Sequence, residues 1–164
     1  MRIYILGPSG VGKTTLAKKL ISKNNTQHYD LDYLLHKFMD ERKGFIDLDE
    51  ESIYKNIDNI LKRKSWVVEG IHIIPPLLDK SDKIIFVDMP WYKAIYRQWK
   101  RFFTDKKQRK EHGFVNNLKL TRHILRQYFE EENKSRSGEI QYSRLAKTKR
   151  ILEKYKDKVE NYSN

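Results

Sequence analysis

The residues with the clearest chemistry lie in one run near the start, Gly7-Pro8-Ser9-Gly10-Val11-Gly12-Lys13-Thr14, with Thr15 next. The run keeps the spacing G-x-x-x-x-G-K-[ST] at every fixed position. Each residue type there answers a need of phosphate binding. Glycines reach φ > 0, so consecutive backbone N–H groups can turn inward and form an anion nest at the start of a helix. Lys13 then reaches the terminal phosphates as a point charge, and the Thr14 hydroxyl is placed to ligate Mg²⁺. Gly7 to Thr15 is therefore the expected nucleotide-phosphate segment.

Phosphoryl transfer needs more than a cradle. The acceptor oxygen must sit in line with the phosphorus, the equatorial oxygens must be neutralised, and some group must orient or deprotonate the acceptor. In His28-Tyr29-Asp30-Leu31-Asp32 two carboxylates stand two residues apart, on one face if both belong to a strand. Asp30 is then the metal-side acid and Asp32 the general base for an acceptor hydroxyl, although each also fits the N-cap of a following helix. Arg97 and Arg101, one helical turn apart, are candidates to stabilise the transferring group; either also reads as an exposed helix arginine. Asp32, Glu69, Gly70 and His72 are the candidates on the acceptor side. Glu69 could orient water near Mg²⁺ or bond to neighbouring N–H groups, Gly70 lets backbone approach a ligand, and His72 otherwise reads as a surface histidine. Asp88 is followed by Met89 rather than a second acid and reads as a strand-end cap.

These residues need a scaffold, and the hydrophobic pattern supplies one. Arg2 to Leu6 is a β-rich run ahead of the loop, and Leu16, Ala17, Leu20 and Ile21 recur at helical spacing after it. Short strands follow at 28–32, 66–68 and 84–87. Leu34, Leu35, Phe38 and Met39 predict a helix ending near Gly44, and Ile53, Ile57, Ile60 and Leu61 predict another capped by Asp47 or Asp49. A helix from Trp91 to Phe103 should bury Trp91, Ala94, Ile95, Trp99 and Phe102. One from about Asn116 to Glu131 should carry Leu118, Ile124, Leu125, Tyr128 and Phe129 as its stripe. Asn133 to Gly138 reads as a turn, 139–155 as a last helix, and 158–163 as a weak fifth strand. Apolar strands alternating with helices predict a parallel sheet covered on both faces, with ligands at the carboxyl ends of its strands.

Composition narrows the setting. The chain has 164 residues, enough for one domain over 1–164, and no cysteine, which removes thiolate chemistry and cysteine zinc sites. No apolar run approaches the ~20 residues of a membrane span and no leader is visible, so the expectation is a cytoplasmic protein without a membrane partner. Of the net charge of +12, the residues up to Pro90 hold 14 Lys and Arg against 13 Asp and Glu, and the rest hold 20 against 9. Lys106, Lys107, Arg109 and Lys110 crowd one weakly periodic segment, which suggests a mobile basic lid and an anionic acceptor. A GTPase base-reading motif is missing, since Asn133-Lys134-Ser135-Arg136 lacks the final acid.

The glycine loop, Tyr29-Asp30-Leu31-Asp32, Val68-Glu69-Gly70, Phe86-Val87-Asp88-Met89-Pro90 and the helix of Arg97 and Arg101 together resemble the small P-loop kinases of the adenylate kinase and shikimate kinase superfamily. Asp30 and Asp32 are similar to the D-x-D of shikimate kinases, where the first acid serves the metal and the second the acceptor hydroxyl. That family's acceptor arginines and Gly-Gly-Gly run have no counterpart here. Glu69-Gly70-Ile71-His72 with Pro75, Glu139-Ile140-Gln141 and Glu160-Asn161-Tyr162-Ser163 resemble the 2-phosphoglycerate kinase branch, and the layout is similar to the adenylate kinase-related DNA topology modulation proteins. The resemblance implies an α/β three-layer P-loop NTPase fold with a five-stranded parallel sheet in the order 2-3-1-4-5. It also implies ATP with Mg²⁺, and a basic helical lid over about 103–116 that closes to exclude water. The expected activity is a phosphotransferase moving the γ-phosphoryl of ATP to a small anionic acceptor, a nucleotide or a hydroxylated or phosphorylated metabolite. Two alternatives stay open: a polynucleotide 5′-hydroxyl kinase whose basic second half binds nucleic acid, and a non-catalytic ATP-binding regulatory module.

Overall fold

The computed structural model describes the backbone of residues 1–24, 26–40, 44–47, 49–129, 141–142 and 145–163, and the side chains in these ranges apart from 23, 24, 32, 36–40, 44–47, 50, 106–112, 141, 142 and 163. In chain order the elements are β1 (Arg2–Leu6), α1 (Lys13–Asn24), β2 (His28–Asp30), α2 (Leu31–Leu35), β3 (His36–Asp40), β4 (Gly44–Asp47), α3 (Glu50–Leu61), β5 (Trp66–Gly70) and β6 (His72–Ile73). They continue with α4 (Pro75–Lys80), β7 (Lys83–Asp88), α5 (Trp91–Thr104), α6 (Lys106–Phe129), β8 (Gln141–Tyr142), α7 (Leu145–Leu152), a 3₁₀ turn at Glu153–Tyr155, and β9 (Val159–Ser163).

Five strands form one sheet in the order β2-β5-β1-β7-β9, and every neighbouring pair is parallel. Counted among the sheet's own members this is 2-3-1-4-5. The weak terminal run is thus a true edge strand, with Ile84 opposite Val159 and Asp88 opposite Ser163. Strand alternation splits the core into two layers. Tyr4, Leu6, Val68, Ile84 and Phe86 pack with Leu31, Ile53, Ile57, Leu77, Leu78 and Leu152 on one face. Ile3, Ile5, Val67, Ile85 and Val87 pack with Ala17, Ala94 and Ile124 on the other. Helices α1, α5 and α6 therefore cover the second face, and α2, α3, α4 and α7 the first. No helix among the described residues is long and apolar enough to cross a membrane.

Several expectations change in detail. The helix expected through Met39 stops at Leu35, and His36–Asp40 turns back as an antiparallel strand on Gly44–Asp47, with Phe38 opposite Phe45. Phe38 and Met39 fit helical spacing only if their partners are local. The partner strand comes instead from a stretch that reads as a polar connector. Of the two proposed caps for α3, Asp49 is the one used: its carboxylate accepts from Ser52 N at 2.9 Å and Ser52 Oγ at 2.8 Å. These bonds, the backbone one foremost, hold Asp49 below the ordinary carboxylate pKa.

Trp91 is exposed rather than buried, and Gln98 joins Ala94 and Phe102 on the buried face of α5. On α6, Leu118 and Phe129 are exposed, while Asn117, Ile124 and Gln127 are buried. The reason is a polar seam between these helices. Gln98 Nε2 donates to Asn117 O at 2.7 Å and to Asn117 Oδ1 at 2.8 Å, and the Thr121 hydroxyl lies 3.0 Å from Asn117 O and 3.2 Å from Gln98 Oε1. The segment expected as a lid is helical except at two points: Asp105 between α5 and α6, and Gly113, whose φ of 62° interrupts α6. The turn expected at 133–138 lies outside the described residues. The helix expected over 139–155 is shorter: Gln141–Tyr142 is a strand paired antiparallel with β6, and α7 runs only from Leu145 to Leu152 before the 3₁₀ turn.

Candidate functional site

The loop from Gly7 to Gly12 leaves the carboxyl end of β1 at the centre of the sheet. Backbone angles explain its glycines. Gly10 and Gly12 have φ of 83° and 98°, a region that side chains rarely enter. The loop is also wedged between two walls: a Cβ on Gly7 would stand 2.5 Å from Val87 O, and one on Gly10 would stand 3.0 Å from Ala94 O. Val11 is fully buried in the α1-side core and pins the loop from below. Leu16 N donates to Gly12 O at 3.1 Å, so the amides ahead of Leu16 are those that helix geometry leaves for an anion.

Lys13 folds back across the loop. Its side chain is only 7% exposed, and Nζ donates to Pro8 O at 2.9 Å. Thr14 and Thr15 are exposed at the start of α1.

Two side chains from α5 and α6 brace the loop from outside, and one of them, Gln127, is not among the residues the sequence singles out. Ser9 N donates to Gln127 Oε1 at 2.8 Å, while Gln127 Nε2 lies 3.3 Å from Ser9 Oγ and 2.7 Å from His123 Nε2. Arg97 Nη1 donates to Val11 O at 3.3 Å, which sets Arg97 against the carbonyl side of the cradle. Arg101, one turn further on, lines the same cavity beside Gly10 as Arg97. The signal for Gln127 was its spacing: Asn117, Ile124 and Gln127 share one face at helical intervals. A search for apolar stripes passes over amides at such positions.

On the other side of β1, Asp30 and Glu69 are register partners in β2 and β5, and Ile5 is opposite Glu69. Both acids therefore project to the α1 side of the sheet near its carboxyl edge. Glu69 is 2% exposed, and its Oε1 lies 3.1 Å from His28 Nε2. Asp30 is half-buried. Asp32 does not continue the strand: β2 ends at Asp30, and Asp32 falls in the first turn of α2, so the shared face expected for Asp30 and Asp32 does not arise from strand alternation. Its side chain lies outside the described residues.

Gly70 has a packing reason to be glycine, because a Cβ there would meet Leu31 Cβ at 2.8 Å. His72 is buried in β6 rather than at the surface, and its carbonyl accepts from the Tyr4 hydroxyl at 2.5 Å. Asp88 pairs with Lys149 of α7 at 2.6 Å. Close by, the Tyr128 hydroxyl donates to Met89 O at 2.6 Å, and burial, helped by the Asp88 charge, pushes that phenol up to about 12.

No cluster of three or more His, Asp or Glu side chains that could hold a metal occurs among the described residues. Mg²⁺ is usually held by one or two protein groups, phosphate oxygens and water. An exposed Thr14 hydroxyl and a half-buried Asp30 carboxylate fit such a role.

No family model matches the chain, and no curated protein matches it. Among solved structures, a gluconokinase from Sinorhizobium meliloti 1021 aligns over 76% of this chain and 89% of its own, with 15% identity and a TM-score of 0.43. Strand order, the two helical layers and the conformation of the glycine loop make the architecture that of a P-loop NTPase.

Proposed function

We propose that this protein is an ATP- and Mg²⁺-dependent kinase that transfers the γ-phosphoryl group to a small anionic acceptor. The observation that carries the reading is the glycine loop itself. Its positive-φ glycines, its place at the central strand's carboxyl end, and a buried lysine folded back across it form a cradle for a triphosphate tail.

In this reading the loop amides and Lys13 hold the donor phosphates. Thr14 and Asp30 would hold Mg²⁺, which would supply positive charge against the transferring group. Asp32, early in α2, takes the proton of the acceptor hydroxyl as its oxygen bonds to phosphorus; the bond from phosphorus to the bridging oxygen breaks, and ADP leaves with that electron pair. Arg97 and Arg101 stabilise the equatorial oxygens, and Glu69 with His72 shapes the acceptor side. Movement of 103–116 about Asp105 and Gly113 excludes water.

Release of ADP in the presence of a panel of hydroxylated and phosphorylated small molecules tests the reading. Turnover that depends on one acceptor and on Mg²⁺ supports it, and ATP binding without any acceptor-dependent turnover favours the regulatory module. A second reading, a polynucleotide 5′-hydroxyl kinase, is favoured by one observation. Helix α5 exposes Tyr92, Tyr96 and Phe103 beside Lys93 and Lys100, an arrangement able to stack bases and meet phosphates. Oligonucleotide binding that falls steeply with salt supports this second reading; no binding at low salt removes it.

A further inference from the structure

One peptide plane in the glycine loop is held from both sides. Pro8 O accepts from Lys13 Nζ at 2.9 Å, and the N–H that shares its plane, Ser9 N, donates to Gln127 Oε1 at 2.8 Å. The bond joining Pro8 to Ser9 is trans, so the carbonyl and the N–H leave it in opposite directions. Turning the plane would break both contacts. Lys13 is thus tied, through a single peptide, to a side chain of α6.

Gln127 is itself fixed. It is buried, and Ser9 N–H can only donate, which assigns Oε1 to that contact and leaves Nε2 to face His123 Nε2 at 2.7 Å and Ser9 Oγ at 3.3 Å. An amide N–H at that distance needs an acceptor. His123 Nε2 must therefore carry its lone pair, and the neutral ring keeps its proton on Nδ1. A protonated imidazole has N–H on both nitrogens and would set N–H against N–H. The amide could then serve His123 or Ser9, and not both.

We infer that Gln127 and His123 are positioning residues of the phosphate loop, which hold the Pro8–Ser9 peptide, with Lys13 behind it, only while His123 is neutral. His123 is exposed, so bulk pH reaches the ring. Among the described residues, Lys119, Arg122 and Arg126 lie within one turn of it on α6, and Arg97 and Arg101 from α5 and Lys13 from α1 come to the same loop. All six are cations, and each opposes a further positive charge. Losing the clamp has two opposed effects on nucleotide binding. Pro8 O becomes a weaker acceptor and releases Lys13 toward the phosphates, but polarisation along such a chain changes a bond by only about 10–30%. Against that, an unheld peptide regains torsional freedom that the cradle loses again on closing, worth up to roughly five- to thirtyfold in affinity. The second effect is larger, so the unclamped loop binds more weakly. The part given to Lys13 rests on the kinase reading above; the clamp does not.

Two measurements test it. Long-range ¹H–¹⁵N spectra of the nucleotide-free chain report which nitrogen of His123 carries the proton, and the Ser9 amide is followed from about pH 8 to about pH 5, where imidazoles change charge. The neutral ring should be the Nδ1–H tautomer, and the Ser9 amide should shift along the His123 titration curve. An Nε2–H tautomer, or a Ser9 amide indifferent to His123, overturns the clamp. Calorimetry with Mg²⁺ and a non-hydrolysable ATP analogue reads the consequence: affinity should fall about fivefold or more as His123 gains its proton. His123→Gln offers Gln127 Nε2 a carbonyl at every pH, so it should keep the affinity of the neutral parent and lose the fall. Gln127→Leu, which accepts nothing from Ser9, should bind weakly throughout. Comparing the chains in the same buffers cancels the analogue's own titration. A fall in His123→Gln as large as in the parent overturns the link between the clamp and the loop. If the analogue binds none of the chains, the kinase reading falls, and the spectra still decide the clamp.

Discussion

Lys13 holds a positive charge in a nearly dry position, where its ammonium donates to the loop carbonyl of Pro8. A triphosphate offers that ammonium stronger, charge-assisted bonds than Pro8 O does. Lys13→Ala should therefore weaken Mg·ATP binding by about 1.5–3 kcal/mol, roughly ten- to over a hundredfold, as read by calorimetry. Gly10 makes a different prediction, because its cost is conformational. With φ at 83° and Ala94 O 3.0 Å from a Cβ, Gly10→Ala strains the loop by about 1–2 kcal/mol and should lower affinity and melting temperature together. For Asp32 the readout is kinetic: Asp32→Asn should reduce kcat by roughly 10²–10⁴-fold with nucleotide affinity retained. Unchanged turnover would remove Asp32 from the chemistry.

Among the elements, α5 and α6 do the most to shape the site, and they pack through amides as well as hydrocarbons. Gln98→Ala strips the buried Asn117 oxygen of its donor, so chemical denaturation should show a loss of about 1–3 kcal/mol. Lower down α6, Tyr128 ties the helix to the backbone just after β7. Its phenol is raised from 10.0 to about 12, so the native state keeps a proton that the unfolded chain gives up earlier. That stabilisation is fully present below about pH 10 and disappears as the pH rises toward 12. Alkaline denaturation followed with Tyr128→Phe should lose this dependence.

For the whole molecule the decisive measurement is linkage between nucleotide and folding. Mg·ATP at a hundred times its Kd should add about 2.7 kcal/mol of stability, and for a chain of this size about 2–4 °C of melting temperature per kcal/mol. A thermal scan with no shift at saturating nucleotide would leave the glycine loop without its ligand. Acid stability has a smaller local contributor: hydrogen bonds from Arg2 hold Asp82 below its usual 3.8, so that pair contributes above that pH and fades below it.

The sequence by itself determined the glycine loop, four of the five sheet strands and most of the helices, because each depends on short-range spacing that neighbouring residues can satisfy; the edge strand at 159–163 was only weakly marked, and the strand order came from the resemblance to small P-loop kinases. It also placed Arg97 and Arg101 on one helix. Tertiary structure alone decided the β3–β4 hairpin, the Leu31 packing that demands Gly70, the burial of His72, and the grip of Gln127 and Arg97 on the loop. Those depend on partners up to 118 residues away along the chain, and on amides whose value in a core appears only once the opposing donor or acceptor is in place.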